Sequence, residues 1–215
     1  VQDAASGREP GSAGDEGSWR CREEEICQIL GEIQAPLSPL LLRLCHWLLP
    51  KLLTRLFLSV RLHRAQLEMV LQAARTPEVP LVFLCSHQSQ LDGPLLSFVL
   101  LSQGIGLPRV AVGAGTSPRL RSLLQRLGGI FLPSGMVPTR SDRDEGLPGA
   151  VLDAYVQEVL RSRQPLVLFL EEPSASLRLA DPARCWLLRL LWALRDGAVP
   201  DVLVVPVGIA YDVAP

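Results

Sequence analysis

The segment CSHQSQLDGP, residues 85–94, places a histidine and an aspartate five residues apart behind an apolar run. A turn between them brings the Asp92 carboxylate within reach of the His87 imidazole. The ring would then hold one tautomer and keep a basic nitrogen facing outward, which is what general-base chemistry needs. Asp92 has a plainer use as well, because an aspartate followed by Gly93 and Pro94 is a helix-opening pattern. From one histidine and one aspartate alone, a capping aspartate beside an incidental histidine is the first reading.

Other chemistry is weaker. Ser86 and Ser89 flank His87 without a Gly-x-Ser-x-Gly elbow. Cys85 can be paired with His87 as a nucleophile, but a cysteine ending an apolar strand is more often a small core residue. GIGLPR and GAGTSP miss both the dinucleotide fingerprint and the phosphate loop. Glu171 and Glu172 form either a carboxylate pair or a solvated strand end. The five cysteines, at 21, 27, 45, 85 and 185, make no Cys-x-x-Cys and no Cys/His quartet. A disulfide scaffold and a metal site are therefore not expected, and a reducing compartment is.

These residues need a scaffold. From residue 79 onward, apolar runs of strand length at 79–85, 109–114, 129–132, 165–170 and 202–210 alternate with helical patterns near 93–102, 118–127, 147–163 and 182–195. Runs rich in Val, Leu and Phe suit strands buried on both faces, and strict alternation with helices implies βαβ units. The fold class expected is α/β, a mostly parallel sheet flanked by helices, with an N-terminal helical segment. In such sheets ligands bind beyond the carboxyl ends of the strands, where His87 falls. Residues 133–149 read as a mobile loop.

The N-terminal part differs. Residues 1–22 lack large apolar side chains before Trp19 and read as disordered. A helix is expected over 23–34, from Ile26, Ile29, Leu30 and Ile33 at helical spacing. Between 36 and 77 stand six basic residues and one acid, Glu68. Leu41, Leu42, Leu48, Leu49, Leu52 and Leu56 share one helical face, with Arg43, Lys51, Arg55 and Arg61 off it. Pro39 and Pro50 should split the run, and the recurring charges disfavour a membrane-spanning helix. This face either lies on an anionic bilayer or caps the fold. The units expected are thus 1–22, a helical basic segment 23–78, and an α/β unit 79–215.

The whole chain, 215 residues at 48% hydrophobic and net charge −1, can bury a core without staples. Mean hydropathy is +0.25. The near-zero charge gives no basic field for nucleic acid, and none is expected as a partner. Twenty arginines stand against the single Lys51, spread along the chain. The chain opens on Val1 with no signal-peptide pattern and reads as part of a longer protein.

Five stretches decide the functional reading. SHQSQLDG resembles the His-x-x-x-x-Asp block of the glycerolipid acyltransferases, and Ser89 also matches its His-x-Ser-x-x-Asp form. LGGIF at 127–131 resembles the opening of their second block, FLE at 169–171 that of the third, and VPDVLVVPVGIAYD at 199–212 the fourth. LHRAQLEMV at 62–70 is similar to the stretch just upstream in mitochondrial glycerol-3-phosphate acyltransferases. The resemblance covers roughly residues 40–212, in order and spacing.

The resemblance implies a glycerolipid acyltransferase-like fold and acyl transfer from acyl-CoA to a hydroxyl. His87 would be the general base, oriented by Asp92, with Ser89, Gly93 and Glu171 in substrate binding. Acyl-CoA is a co-substrate, and no cofactor or metal is implied. Glycerol-3-phosphate or another hydroxyl acceptor, membrane lipids and the mitochondrial outer membrane follow in the same way. The chain also departs from the family. Pro133 and Ser134 stand where its second block carries arginines, and Glu172, Pro173, Ser174, Ala175 and Ser176 where its third continues Gly-Thr-Arg-Ser-Arg. Those arginines are associated with the acceptor's phosphate, so the acceptor site reads as eroded unless Arg178 or Arg184 compensates. Two alternatives stay open: a membrane-bound scaffold that keeps the fold without turnover, and an acyl-CoA hydrolase.

Overall fold

The computed structural model describes residues 16–34, 36–56, 60–75, 79–86, 92–112, 118–133, 146–170 and 181–211. Three helices come first, α1 (Glu16–Ile33), α2 (Pro39–Leu56) and α3 (Arg64–Arg75). Strands and helices then alternate: β1 (Leu81–Cys85), α4 (Asp92–Ser102), β2 (Arg109–Ala111), α5 (Pro118–Arg126), β3 (Gly129–Ile130), α6 (Gly146–Arg161), β4 (Leu166–Phe169), α7 (Asp181–Arg195) and β5 (Leu203–Val207). The strands form one parallel sheet in the order β3-β2-β4-β1-β5. The α/β class expected from the alternation is the class observed, with each strand shorter than its apolar run.

Successive side chains of a strand point to opposite faces, and here they feed two different layers. Val82 and Leu84 of β1, with Leu166 and Leu168 of β4, face a layer built by α1, α6 and α7. Leu81, Phe83 and Cys85, with Val167 and Phe169, face the other, against Leu96 and Leu100 of α4 and the half-buried Val70 and Ala73 of α3. Both of these interior strands are therefore apolar at every position, as a sheet covered on two sides requires. Strand β5 pairs only with β1 among the described residues, and its Leu203 and Val204 are exposed. Pro206, which has no N–H to donate, fits such an edge.

The helix expected from Glu23 begins at Glu16, so residues 16–22 are helical rather than disordered. No proline interrupts this stretch, and extending a formed helix adds one hydrogen bond per residue fixed. Nor does α1 stand apart from the α/β unit. Ile26, Ile29 and Ile33 are buried in the same core as Val151, Leu152 and Trp186. Its last carbonyls, which lack helical partners, are met from elsewhere: Gln125 Nε2 and Arg121 Nη2 donate to Glu32 O at 2.7 and 3.1 Å, and Phe131 N to Ile33 O at 3.0 Å. The boundary drawn at residue 78 thus separates residues that share one core.

The basic stretch forms two helices. Pro39 opens α2 as a first-turn proline can, but Pro50 lies inside it, forgoing a backbone hydrogen bond without ending the helix. The side chains of Leu41, Leu42, Leu49, Leu52 and Leu56 fall outside the described residues, as do most of the loop expected at 133–149 and residues 1–15.

Candidate active site

β1 lies between β4 and β5 in the described sheet and leaves it at Cys85. His87 and Ser89 follow in sequence, and both lie outside the described residues. Glu171 does too, although its neighbour Leu170 donates its N–H to Cys85 O at 2.8 Å, drawing the ends of β4 and β1 together. Asp92 and Gly93 are described, so the site is built from them.

Asp92 opens α4 and is fully buried, with 0% of its surface exposed. A carboxylate at a helix start meets the positive end of the peptide dipoles. It also accepts a hydrogen bond at Oδ1 from the Tyr211 hydroxyl, 119 residues away in sequence. Cys85, at the end of β1, feels the same charge. Burial first, and then the nearby Asp92 charge, push the Cys85 thiol up to about 12. At neutral pH it stays protonated, and a buried thiol of that kind is a core group rather than a nucleophile. Its full burial at the end of the strand favours the reading of Cys85 as a small core residue.

Gly93 is buried one residue into α4. A Cβ built on it would lie 3.6 Å from the Phe169 ring and 3.8 Å from Val110, both in the sheet. These are ordinary contact distances. Its place is a seat on β4 and β2 that a methyl group would also fit.

The Gly-Gly of LGGIF is more demanding, for a backbone reason. Gly128 has φ +101°, a region that glycine enters freely. A Cβ on Gly129 would stand 2.9 Å from Leu124 O, so α5 runs into β3 with no room for any side chain. This stretch of the second block shapes a turn, and Pro133 just beyond it is buried. Ser134, the substituted third-block positions and Arg178 lie outside the described residues, whereas Arg184 is exposed on α7.

Tyr211 is the site residue that local sequence reasoning does not isolate. Its signal is positional. The stretch resembling the fourth block runs beyond the last strand position, and a strand alone does not need that extension.

Away from the strand ends, α2 leans on α4 and turns an apolar and basic strip outward. Leu40 is 75% exposed, Trp47 60%, and Leu44 and Leu48 about half, alongside exposed Arg43, Lys51 and Arg55. The Lys51 ammonium sits 3.6 Å above the Trp47 ring centre, a cation–π contact. In α3, Met69 is exposed and no residue is fully buried. Among the described residues no helix is long and apolar enough to cross a membrane, and no three His, Cys, Asp or Glu side chains gather as they would around a metal ion.

Comparison with known proteins bears on this geometry. The family described as Acyltransferase matches residues 65–209. The chain is 48% identical over 219 residues to a mouse protein named glycerol-3-phosphate acyltransferase 2, mitochondrial, and 44% identical over 218 residues to the human protein of that name. All of the chain is covered in both cases, and 27% of each relative. Human glycerol-3-phosphate acyltransferase 1, mitochondrial, is 37% identical over 187 residues, covering 86% of the chain and 22% of that protein. The chain thus spans about a quarter of the length of these relatives.

Proposed function

Because the chain belongs to the acyltransferase family, we propose that the protein transfers an acyl group from acyl-CoA to a hydroxyl in glycerolipid synthesis, with His87 as general base and Asp92 as its orienting partner. The observation that carries this reading is the placement of Asp92. It is buried at the start of α4, beyond the carboxyl end of β1, and stands five residues after His87 in the sequence.

In this mechanism His87 accepts the proton of the acceptor hydroxyl as its oxygen attacks the thioester carbonyl. Asp92 fixes the ring and offsets the charge of the imidazolium. Collapse of the tetrahedral intermediate breaks the carbon–sulfur bond, and the proton passes from His87 to the departing sulfur. Ester and free coenzyme A result, and His87 is neutral again. Ser89, Gly93 and Glu171 line the substrates in this reading.

The relatives are named for glycerol-3-phosphate, which makes it the first acceptor to test. The chain argues that it is a weak one. Pro133 and Ser134 in the second block, and Ser174 and Ser176 in the third, stand where the family carries arginines, and charged hydrogen bonds contribute about 1.5–3 kcal/mol each. Losing two costs on the order of 10²- to 10⁴-fold in affinity, and Glu172 adds repulsion. The same substitutions favour a second reading, a membrane-associated scaffold that keeps the fold with little turnover. The exposed Leu40, Leu44 and Trp47 beside Arg43, Lys51 and Arg55 support a place on an anionic membrane surface. The relatives' names support mitochondria, with the outer membrane as the proposed surface.

Thiol release from acyl-CoA by the full-length protein, with and without glycerol-3-phosphate and uncharged alcohols, tests these readings. Transfer should depend on an acceptor and fall about 10²- to 10⁴-fold in a folded His87→Ala variant. Full activity in that variant removes the mechanism, and no turnover with any acceptor leaves the scaffold. Release without an acceptor identifies a hydrolase.

A further inference from the structure

Asp92 and Tyr211 come together only because of the strand order. β5 lies beside β1 with Val207 opposite Cys85, so the two chain segments leave the sheet side by side. One runs through 86–91 into α4. The other passes Gly208, Ile209 and Ala210, and brings the Tyr211 hydroxyl onto Asp92 Oδ1.

We infer that Tyr211 is a positioning residue for the His87–Asp92 pair: its hydroxyl holds the Asp92 carboxylate plane in the orientation that the imidazole needs. This rests on the acyl-transfer reading above. A buried carboxylate can turn about its last bond, and each hydrogen bond that it accepts narrows that rotation. A phenol hydroxyl is suited to fix it, since it sits at the tip of a rigid ring with two side-chain torsions. Tyr211 is half-buried, with its ring held at the strand end rather than free in solvent. A hydrogen bond to an ionised carboxylate is about twice as strong as a neutral one. The contact also ties the last described residue of the chain to the first residue of α4. The segment after β5 thereby becomes part of the proposed site.

The test is Tyr211→Phe in the full-length protein, which removes one oxygen and keeps the ring. Partners that orient metal-ligating histidines are worth about 10- to 100-fold, and a loss of the same order is expected here. That loss should appear in kcat, with KM for acyl-CoA little changed, because a positioning role acts through Asp92 rather than through contact with the donor. In an Asp92→Asn background the same change should add much less than it does alone, since groups acting through one contact are not additive. A readout independent of turnover separates this inference from the enzyme reading. Carbethoxylation of His87, followed by peptide mass spectrometry relative to the exposed His63, should change in Tyr211→Phe. If His87 reactivity shifts in a protein that shows no turnover, the positioning stands and the enzyme reading falls. If turnover depends on His87 while Tyr211→Phe keeps wild-type kcat and wild-type His87 reactivity, the positioning role is overturned. Equal losses from Tyr211→Phe with and without the Asp92→Asn change overturn it as well, by showing an effect that does not pass through the Asp92 carboxylate.

Discussion

The two faces of the sheet are built to different ends. On one face, α1, α6 and α7 bury large side chains almost completely, among them Ile26, Leu152, Leu160 and Trp186. Even the charged Arg189 is sealed there, its Nη1 2.8 Å from Asp153 Oδ1 and its guanidinium 4.8 Å from the Trp192 ring centre. On the other face α4 alone is well buried, α3 touches the sheet with half-buried residues, and α2 leaves Leu40 and Trp47 in the open. The buried carboxylate with its tyrosine stands at the opening of this thinner layer. Stability is concentrated where no proposed chemistry occurs, and the proposed chemistry lies where the cover is incomplete. Such a division suits the acyl transfer at a membrane surface proposed above.

Trp186 offers the largest way to break this comparison. It is 2% exposed, and its Nε1 has no hydrogen-bond partner among the described residues. Trp186→Ala should therefore lower stability by about 3–5 kcal/mol, and Trp186→Phe by far less, because it also removes an unsatisfied donor. Urea unfolding measures both. If the comparison holds, kcat per folded molecule is unchanged in the Phe variant. A loss of kcat there would mean that the thick layer also sets the site.

The thinner layer yields a smaller effect with the opposite signature. Replacing Arg43, Lys51, Arg55 and Arg61 by Gln should cost no more stability than the Lys51–Trp47 contact supplies, about 0.5–1 kcal/mol, but weaken binding to anionic vesicles. Each basic residue near an anionic surface contributes about 1 kcal/mol, and added salt should weaken wild-type binding in the same way. Co-sedimentation reads the outcome. Salt-independent binding, or a larger fall in stability, would instead make α2 a structural cap.

The smallest effect concerns the thiol at the end of β1. The folded protein holds the Cys85 proton up to about 12, against an ordinary value of 9.0. The unfolded chain releases that proton first, so the contribution is fully present below pH 9 and is lost as pH rises toward 12. Tyr155, on the other face, is also raised to about 12 by burial and titrates over the upper part of the same window. Cys85→Ala should therefore flatten only part of the alkaline fall in stability. At about pH 8, below the ordinary thiol range, Cys85 should resist alkylation under conditions that modify the exposed Cys21 and Cys27. Rapid alkylation of Cys85 would show that the β1 end opens to solvent.

The sequence by itself determined the local pieces. Apolar runs such as PLVLFL and the helical patterns between them are written in neighbouring residues, because side-chain period and turn chemistry act over a few positions. Asp92 at the start of a helix is legible for the same reason, as is LGGIF, whose glycines answer to a turn between adjacent elements. The resemblance spaced along residues 40–212 added the family. Only the tertiary structure decided which strands are neighbours, since parallel pairing joins segments far apart and a strand carries no local mark of its partner. The order β3-β2-β4-β1-β5 puts Val207 beside Cys85 and so brings Tyr211 to Asp92. It also decided that α1 belongs to the core: Ile26, Ile29 and Ile33 show an apolar stripe in any reading, but what covers that stripe is α6, more than a hundred residues later. Contacts of that range form by burial and strand pairing across the whole chain, and no window of sequence contains both partners.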